Sequence, residues 1–410
     1  MSHGEACRAR PPALSAAAAG VRQSVFAALQ GRIDAFEARG GRLIPLQIGD
    51  THLAPPPAAL EAVAASSRRV EDVSLYGGIA GLTELREACA ERVAARGLGP
   101  PGARADNVLV GCGCTHALFC AVRALLDPGD EVLVASPYWP LIVGLLRAAG
   151  AEPVEVPVSW RLYDAPALDV AAELARACTP RTRAVYVTTP NNPDGQVWTR
   201  AQLESVAAVA RARDLWVLSD EVYADFVYEG EHVSLARLPD MAERTVCGYS
   251  LSKSHALAGA RIGFVVGPER AIAAARRISN HTLYNVPVTM QRAALAAVRT
   301  GEPWLSEARA RQEEARDATL AALAPLARRG VGARRPRGGS FVLLDLAEAL
   351  AGRAPQALFE RAIDEGVLLA PGDAFGAGFE RFARLCFTGV PLPDVLEGVA
   401  RLGRALEALG

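Results

Sequence analysis

From about residue 81 to residue 280 the chain switches repeatedly between two hydrophobic periods. "GLTELREACAERVAARG" spaces its apolar residues three and four apart, the period of one helix face. "NVLVG" behind it is a short continuous apolar run, the pattern of a strand covered on both sides. The alternation continues through helix "HALFCAVRALL", strand "EVLVAS", helix "PLIVGLLRAAG", strand "AVYVTT" and helix "AQLESVAAVARARD", then strands "LWVLSD", "TVCGYS" and "RIGFVVG". Apolar strands separated by helices predict a mostly parallel sheet with helices on both faces. Residues 286–328 read as strongly helical. After them "GGSFVLLDL", "PQALFERAIDEG", "VLLA", "FARLCF" and a last helix predict a smaller α+β unit. The expected division is an N-terminal arm with part of the small domain over 1–50, a large domain over 51–295 and the rest of the small domain over 296–410.

In an open α/β sheet, ligands sit beyond the carboxyl ends of the strands. The chemically unusual residues of this chain follow strands: "GCGCT" after NVLV, "SPYW" after EVLVA, "PNNPDG" after YVTT, "DEVY" after LWVLS and "SLSK" after TVCGY. Five strand ends are thereby expected to converge on one site.

The 410 residues are half hydrophobic, enough for a large core, and the formal net charge of -1 gives no sign of nucleic-acid or membrane binding. No apolar run reaches the roughly 18 residues of a membrane span. The opening "MSHGEACRARPPALSAAAAG" only weakly imitates a secretory signal, and "VRQSVFAALQGRIDAFEARG" after it reads as an amphipathic helix, so a cytoplasmic location is expected. The eight cysteines have no repeated pair spacing, which favours reduced thiols over disulfides or a zinc site.

Among 44 basic residues one is a lysine, Lys253, and the rest are arginine. Guanidinium serves solubility and ion pairing equally well, so a retained lysine points to amine chemistry, since only an amine can shed its proton and act as a nucleophile. The alternative is a leftover surface lysine. Asp220 closes a buried apolar strand and needs a cationic partner if it is buried, although "SDEVY" also reads as a helix start with stabilising acids. "PNNPDG" by itself is a turn signal, and Trp139 by itself is more often core.

Taken in order, "YGGIAGLTELR", "NNPDG", "DEVY" and S-x-S-K with an arginine eight residues on (Ser250, Ser252, Lys253, Arg261) resemble the fold type I pyridoxal phosphate (PLP) enzymes of the class I/II aminotransferase family. The likeness runs from "LQIGD" to "RLCFTG". It implies a large, mostly parallel α/β/α domain with a smaller α+β domain, and Lys253 as the Schiff-base lysine that also moves the Cα proton. It further implies Asp220 on the pyridine nitrogen, Asn192 and Tyr223 on the ring oxygen, and Trp139, rather than its neighbour Tyr138, stacked on the ring. Cys114, Thr115, Ser250 and Arg261 match the phosphate contacts, with "GCT" expected just before a helix.

Tyr76 matches a residue that crosses from a partner subunit to the phosphate, which implies a homodimer with shared sites. Arg384 matches the clamp for the substrate α-carboxylate, and Gly49 the backbone that closes over the substrate. "GCGCTH" also resembles a dinucleotide fingerprint, but His116 replaces the third glycine and no acid ends the next strand. The expected reaction is transamination between an L-amino acid and a 2-oxo acid, with a PLP-dependent lyase, cyclase or synthase as the alternative. No metal is expected. The 45 residues before "LQIGD" show no winged-helix pattern and no basic surface, which argues against a DNA-binding regulator.

The substrate side-chain pocket is the least legible part. Family members that prefer dicarboxylates carry an extra arginine after the cofactor lysine, and "SNHTLYNVPVTMQ" shows no equivalent. His281, Tyr284 and Asn285 are candidates for lining it or are structural, and Asp50 and His52 in "GDTHL" stand where an apolar or proline-containing segment is more usual, which marks an unusual substrate or nothing.

Overall fold

The computed structural model describes residues 14–21 and 29–409. Its centre is a seven-stranded sheet made of β1 (Val108–Cys112), β2 (Glu131–Ser136), β3 (Glu152–Pro157), β4 (Thr182–Thr188), β5 (Trp216–Asp220), β6 (Thr245–Ser250) and β7 (Ile262–Val266). The spatial order is β1-β7-β6-β5-β4-β2-β3. Only β7 runs antiparallel to its neighbours β1 and β6. The carboxyl ends of the other strands and the start of β7 therefore lie along one edge of the sheet.

Six of these strands coincide with the apolar runs of the sequence. The seventh, β3, pairs only with β2 at the sheet edge. Its sequence "EPVEVP" carries two prolines, which an edge strand tolerates because one side needs no ladder donors. The same prolines hide it from a pattern search. A second difference concerns "GCT": the helix after β1 spans Gly113–Leu125, so these residues form its first turn instead of preceding it. "VLLA" likewise divides, Val367–Leu368 pairing in parallel with Ile44–Pro45 and Ala370–Pro371 joining another sheet. Of the expected early helix, Gln30–Ala38 is described, while residues 22–28 lie outside the described residues, as does Cys7.

Helices Val288–Thr300 and Glu302–Leu323 lead to a four-stranded antiparallel sheet in the order Ala370–Pro371, Phe382–Cys386, Phe341–Asp345, Gly332–Ala333. One hydrophobic cluster joins Leu29, Ile33, Ile44 and Leu46 to Val342, Leu344, Leu358, Leu385 and Leu402, so the early segment packs with the C-terminal sheet. Among the described residues no helix is long and apolar enough to cross a membrane.

Candidate active site

The five loops that follow β1, β2, β4, β5 and β6 surround one cavity of about 170 Å³, lined by Cys114, Thr115, Trp139, Asn192, Asp220, Tyr223, Ser250, Lys253 and Arg261. Roughly 150 Å³ is enough to take up a benzene ring, so this volume suits one ring and not a dinucleotide. Nine of the twelve residues to which the resemblance gives a site role thus line this one cavity. Gly113, Leu118, Thr188, Val222, Ser252 and Ala258 complete the lining.

Lys253 lies in the single helical turn Leu251–Ser254 directly after β6, where Ser250 Oγ caps the turn by accepting from the Ser252 N–H at 3.2 Å. Its Nζ donates to the Gly49 carbonyl. Burial pushes the pKa of this ammonium down; the Asp50 charge opposes the shift, and Arg384 and Arg261 add to it. The result is an amine more available in its neutral, nucleophilic form than a surface lysine.

Asp220, at the carboxyl end of β5, is buried. Its Oδ2 accepts from Tyr186 Oη at 2.7 Å and its Oδ1 from the Val222 N–H at 3.3 Å. No cation reaches it among the described residues, and burial raises its pKa to about 6. A buried carboxylate facing a cavity without a counter-charge fits a ligand that brings a cation. Tyr186 carries a hydroxyl within an apolar strand, and a buried hydroxyl needs a partner, which is the signal that could have found it from sequence.

Another part of the cavity lining suits an anion. The first-turn amides of helix Gly113–Leu125 open there. Gly113 has φ +73°, and a Cβ on it would lie 2.7 Å from Arg261 Nη2. Its N–H donates to the Arg261 carbonyl at 2.7 Å, which fixes the helix start against the arginine. Arg261 has no carboxylate partner among the described residues; its Nη1 donates to the Ala258 carbonyl at 3.1 Å. Burial pushes the Cys114 thiol pKa well up, so the residue brings no negative charge to the cradle.

Asn192 is delivered by a loop that Asn191 organises through its Nδ2, which donates to the Pro137 carbonyl (2.9 Å), Ser159 Oγ (3.1 Å) and Asp194 Oδ1 (2.9 Å). Asn192 Oδ1 in turn accepts from Arg384 Nη1 at 2.8 Å, and Arg384 Nη2 donates to the Gln47 carbonyl at 2.7 Å. Gly49 and Arg384 thus border the cavity through Lys253 and Asn192. Burial raises the pKa of the Tyr223 phenol.

Tyr76 is not brought to the cavity within one chain. It is 85% exposed and meets Tyr284 edge-on, with ring centroids 4.9 Å apart. His281 and Tyr284 are exposed, and Asn285 Nδ2 donates to the Val286 carbonyl; none of the three lines the cavity. The GDTHL segment is fastened to the end of strand Phe382–Cys386: Thr388 Oγ1 donates to the Asp50 carbonyl at 2.6 Å, and the His52 N–H to the Thr388 carbonyl at 2.9 Å. Tyr138 does not line the cavity either, and its N–H donates to the Phe375 carbonyl at 3.1 Å.

A single nucleophilic amine, an unpaired buried acid, a ring-sized slot beside Trp139 and an anion cradle together fit a phosphorylated cationic heteroaromatic aldehyde. Comparisons with known proteins agree. A family model described as "Aminotransferase class I and II" matches residues 42–402. The arginine–pyruvate transaminase of Pseudomonas aeruginosa is 37% identical over 380 residues, 91% of this chain and 92% of that protein. The aspartate/prephenate aminotransferase of Thermus thermophilus is 33% identical over 391 residues, 94% and 97% of the two chains. A solved structure of the Thermus thermophilus aspartate aminotransferase with maleate superposes with TM-score 0.86 at 31% identity, covering 96% of this chain and all of that one.

Proposed function

From the premise that this chain belongs to the class I and II aminotransferases, we propose that Lys253 is the residue through which it works. The enzyme is a PLP-dependent transferase that moves the amino group of an amino acid to a 2-oxo acid. The lyase or cyclase alternative is not favoured, since the relatives named above are transaminases.

When bound, PLP supplies an electron sink for the pair left on the substrate Cα. Lys253 Nζ, its pKa lowered by burial, anchors the cofactor and later takes the proton from the substrate Cα. Asp220 holds the proton on the ring nitrogen, and the charge pair removes the cost of burying that carboxylate alone. Tyr223 and Asn192 hydrogen-bond the ring oxygen, and the raised pKa of Tyr223 keeps its hydroxyl a donor. Trp139 covers the ring face. Cys114 and Thr115 in the first turn of helix Gly113–Leu125, the Ser250 hydroxyl and the Arg261 guanidinium hold the phosphate. Arg384 takes the substrate α-carboxylate, and Gly49 closes over it.

The observation that carries this assignment is the position of the chain's one lysine in the same cavity as the unpaired Asp220. Borohydride reduction of the holoenzyme followed by peptide mass analysis tests it. The phosphopyridoxyl increment is expected on Lys253, and an unmodified Lys253 would refute the assignment.

For the substrate we favour an amino acid without a second carboxylate. Apart from the lining residues Lys253 and Arg261, and Arg384 behind Asn192, no basic side chain among the described residues reaches the cavity, and the Asp50 charge acts on Lys253. An arginine–pyruvate transaminase among the relatives supports a neutral or cationic side chain. A substrate panel in which aspartate and glutamate outperform arginine and neutral amino acids would overturn this choice.

Homodimerisation completes the proposal. Val70, Val73, Leu75 and Tyr76 are four large apolar side chains exposed within seven residues, which supports a second copy that receives Tyr76 at its phosphate. The separate hydrophobic cluster of the early segment and the C-terminal sheet supports the division into an arm, a large domain over 51–295 and a small domain over 296–410. The free cysteines among the described residues support a reducing, cytoplasmic site.

A further inference from the structure

Arg384 is 7% exposed, and among the described residues no carboxylate pairs with it. Two of its nitrogens have neutral acceptors, Asn192 Oδ1 and the Gln47 carbonyl, and its Nε has none. A desolvated cation without an anion is costly, and something must offset that cost until substrate arrives. Two fully buried rings are in place to do so. The guanidinium carbon lies 4.2 Å from the ring centroid of Phe341 and 5.1 Å from that of Phe375.

We propose that Phe341 and Phe375 form an aromatic slot that keeps Arg384 charged, oriented and free of a competing anion, which makes both rings positioning residues for the substrate α-carboxylate. The proposal rests on Arg384 being the carboxylate clamp. Its logic is electrostatic. A carboxylate partner would stabilise the guanidinium better than a ring, but it would occupy the N–H donors that the substrate must use. The negative face of an aromatic ring attracts the cation without an oxygen that competes for those donors.

The two rings are not equivalent. Phe341 also stands edge-on to Tyr223, with centroids 5.8 Å apart at 78°, and packs beneath Gly49, where a Cβ would fall 2.5 Å from its Cζ. It therefore joins the clamp, the closing segment and a cofactor-facing hydroxyl through one rigid body. Phe375 packs with Leu343, Ala370 and Phe379. Its replacement reaches Arg384 while leaving the Phe341 contacts with Tyr223 and Gly49 in place.

The test uses PLP-loaded enzyme and propionate as an unreactive monocarboxylate, its Kd read from perturbation of the cofactor spectrum. Phe375→Leu is expected to weaken propionate about ten- to thirtyfold, the scale of a desolvated cation–π contact. KM for the amino acid should rise by a similar factor with kcat nearly unchanged. Phenylalanines carrying successively more ring fluorines, inserted at 375, change the ring's charge distribution with little change of shape, and should weaken propionate stepwise. A flat fluorine series, or Phe375→Leu binding propionate as wild type does, overturns the slot. Arg384→Ala separates the two levels. If it leaves propionate affinity unchanged, the clamp assignment itself fails; if it abolishes binding while the fluorine series is flat, only the slot fails.

Discussion

Replacing Asp220 with asparagine is expected to stabilise the cofactor-free protein while crippling cofactor binding, opposite signs from one substitution. Asp220 rises from an ordinary 3.8 to about 6 on burial. Two pKa units at roughly 1.4 kcal/mol each amount to about 3 kcal/mol. The sign follows from linkage. The folded apoenzyme holds the Asp220 proton more tightly than the unfolded chain, so its stability falls as pH rises from about 4 to about 6 and levels off above. The asparagine side chain of D220N does not titrate, and its amide oxygen can still accept from Tyr186 Oη, which donates at 2.7 Å in the native protein. Urea unfolding of apoenzyme should therefore show D220N approaching about 3 kcal/mol more stable than wild type at pH 8, with the gap closing toward pH 4. In the holoenzyme the ring cation removes the penalty from the native residue, so D220N should bind PLP about a hundredfold more weakly. A stability difference that does not vary with pH, or undiminished PLP affinity, would refute the reasoning.

Lys253→Arg should keep the fold and the positive charge but lose the Schiff-base absorbance and turnover, because a guanidinium is no usable nucleophile at neutral pH; normal activity would remove Lys253 from the mechanism. Gly113→Ala strains a φ of +73° and places a methyl 2.7 Å from Arg261 Nη2. PLP Kd should rise by at least about tenfold, alongside a loss of roughly 1 kcal/mol or more in global stability from the strained φ, and unchanged affinity would move the phosphate elsewhere. Mixing Lys253→Arg with Tyr76→Phe subunits should create one fully native site per mixed dimer if Tyr76 acts across the interface. PLP titration of the remaining activity should then show native affinity; only Tyr76→Phe affinity would place the tyrosine in its own subunit's site.

The central sheet was readable because a strand buried on both faces must be a continuous apolar run, and six of its strands are. β3 escaped because edge position and prolines relax that requirement. The cavity residues were legible through their position after strand ends, where topology alone brings together residues as distant as Cys114 and Arg261. What supports them was not. Tyr186 beneath Asp220, Asn191 tied to Pro137 and Ser159 behind Asn192, and Phe341 against Arg384 act through contacts between segments far apart in sequence, and Phe375 reaches Arg384 only through the fold of the turn between them. No local pattern names the partners in those contacts, although the hydroxyl of Tyr186 within an apolar strand signals that it needs one. The start of helix Gly113–Leu125 was displaced because "GCT" has poor helix propensity, outweighed by the hydrogen bond of Gly113 to the Arg261 carbonyl.

The half-reaction tests the central claim most directly. PLP-loaded enzyme is mixed with a panel of amino acids in the absence of any 2-oxo acid, and the cofactor spectrum is followed alongside keto-acid release. An aminotransferase must stop after one turnover per site, with the cofactor left in its amine form and one equivalent of 2-oxo acid released, since nothing remains to accept the amino group. That result is predicted, with Lys253→Arg inert in the same experiment. Sustained multiple turnover with the cofactor still in its aldehyde form would contradict it.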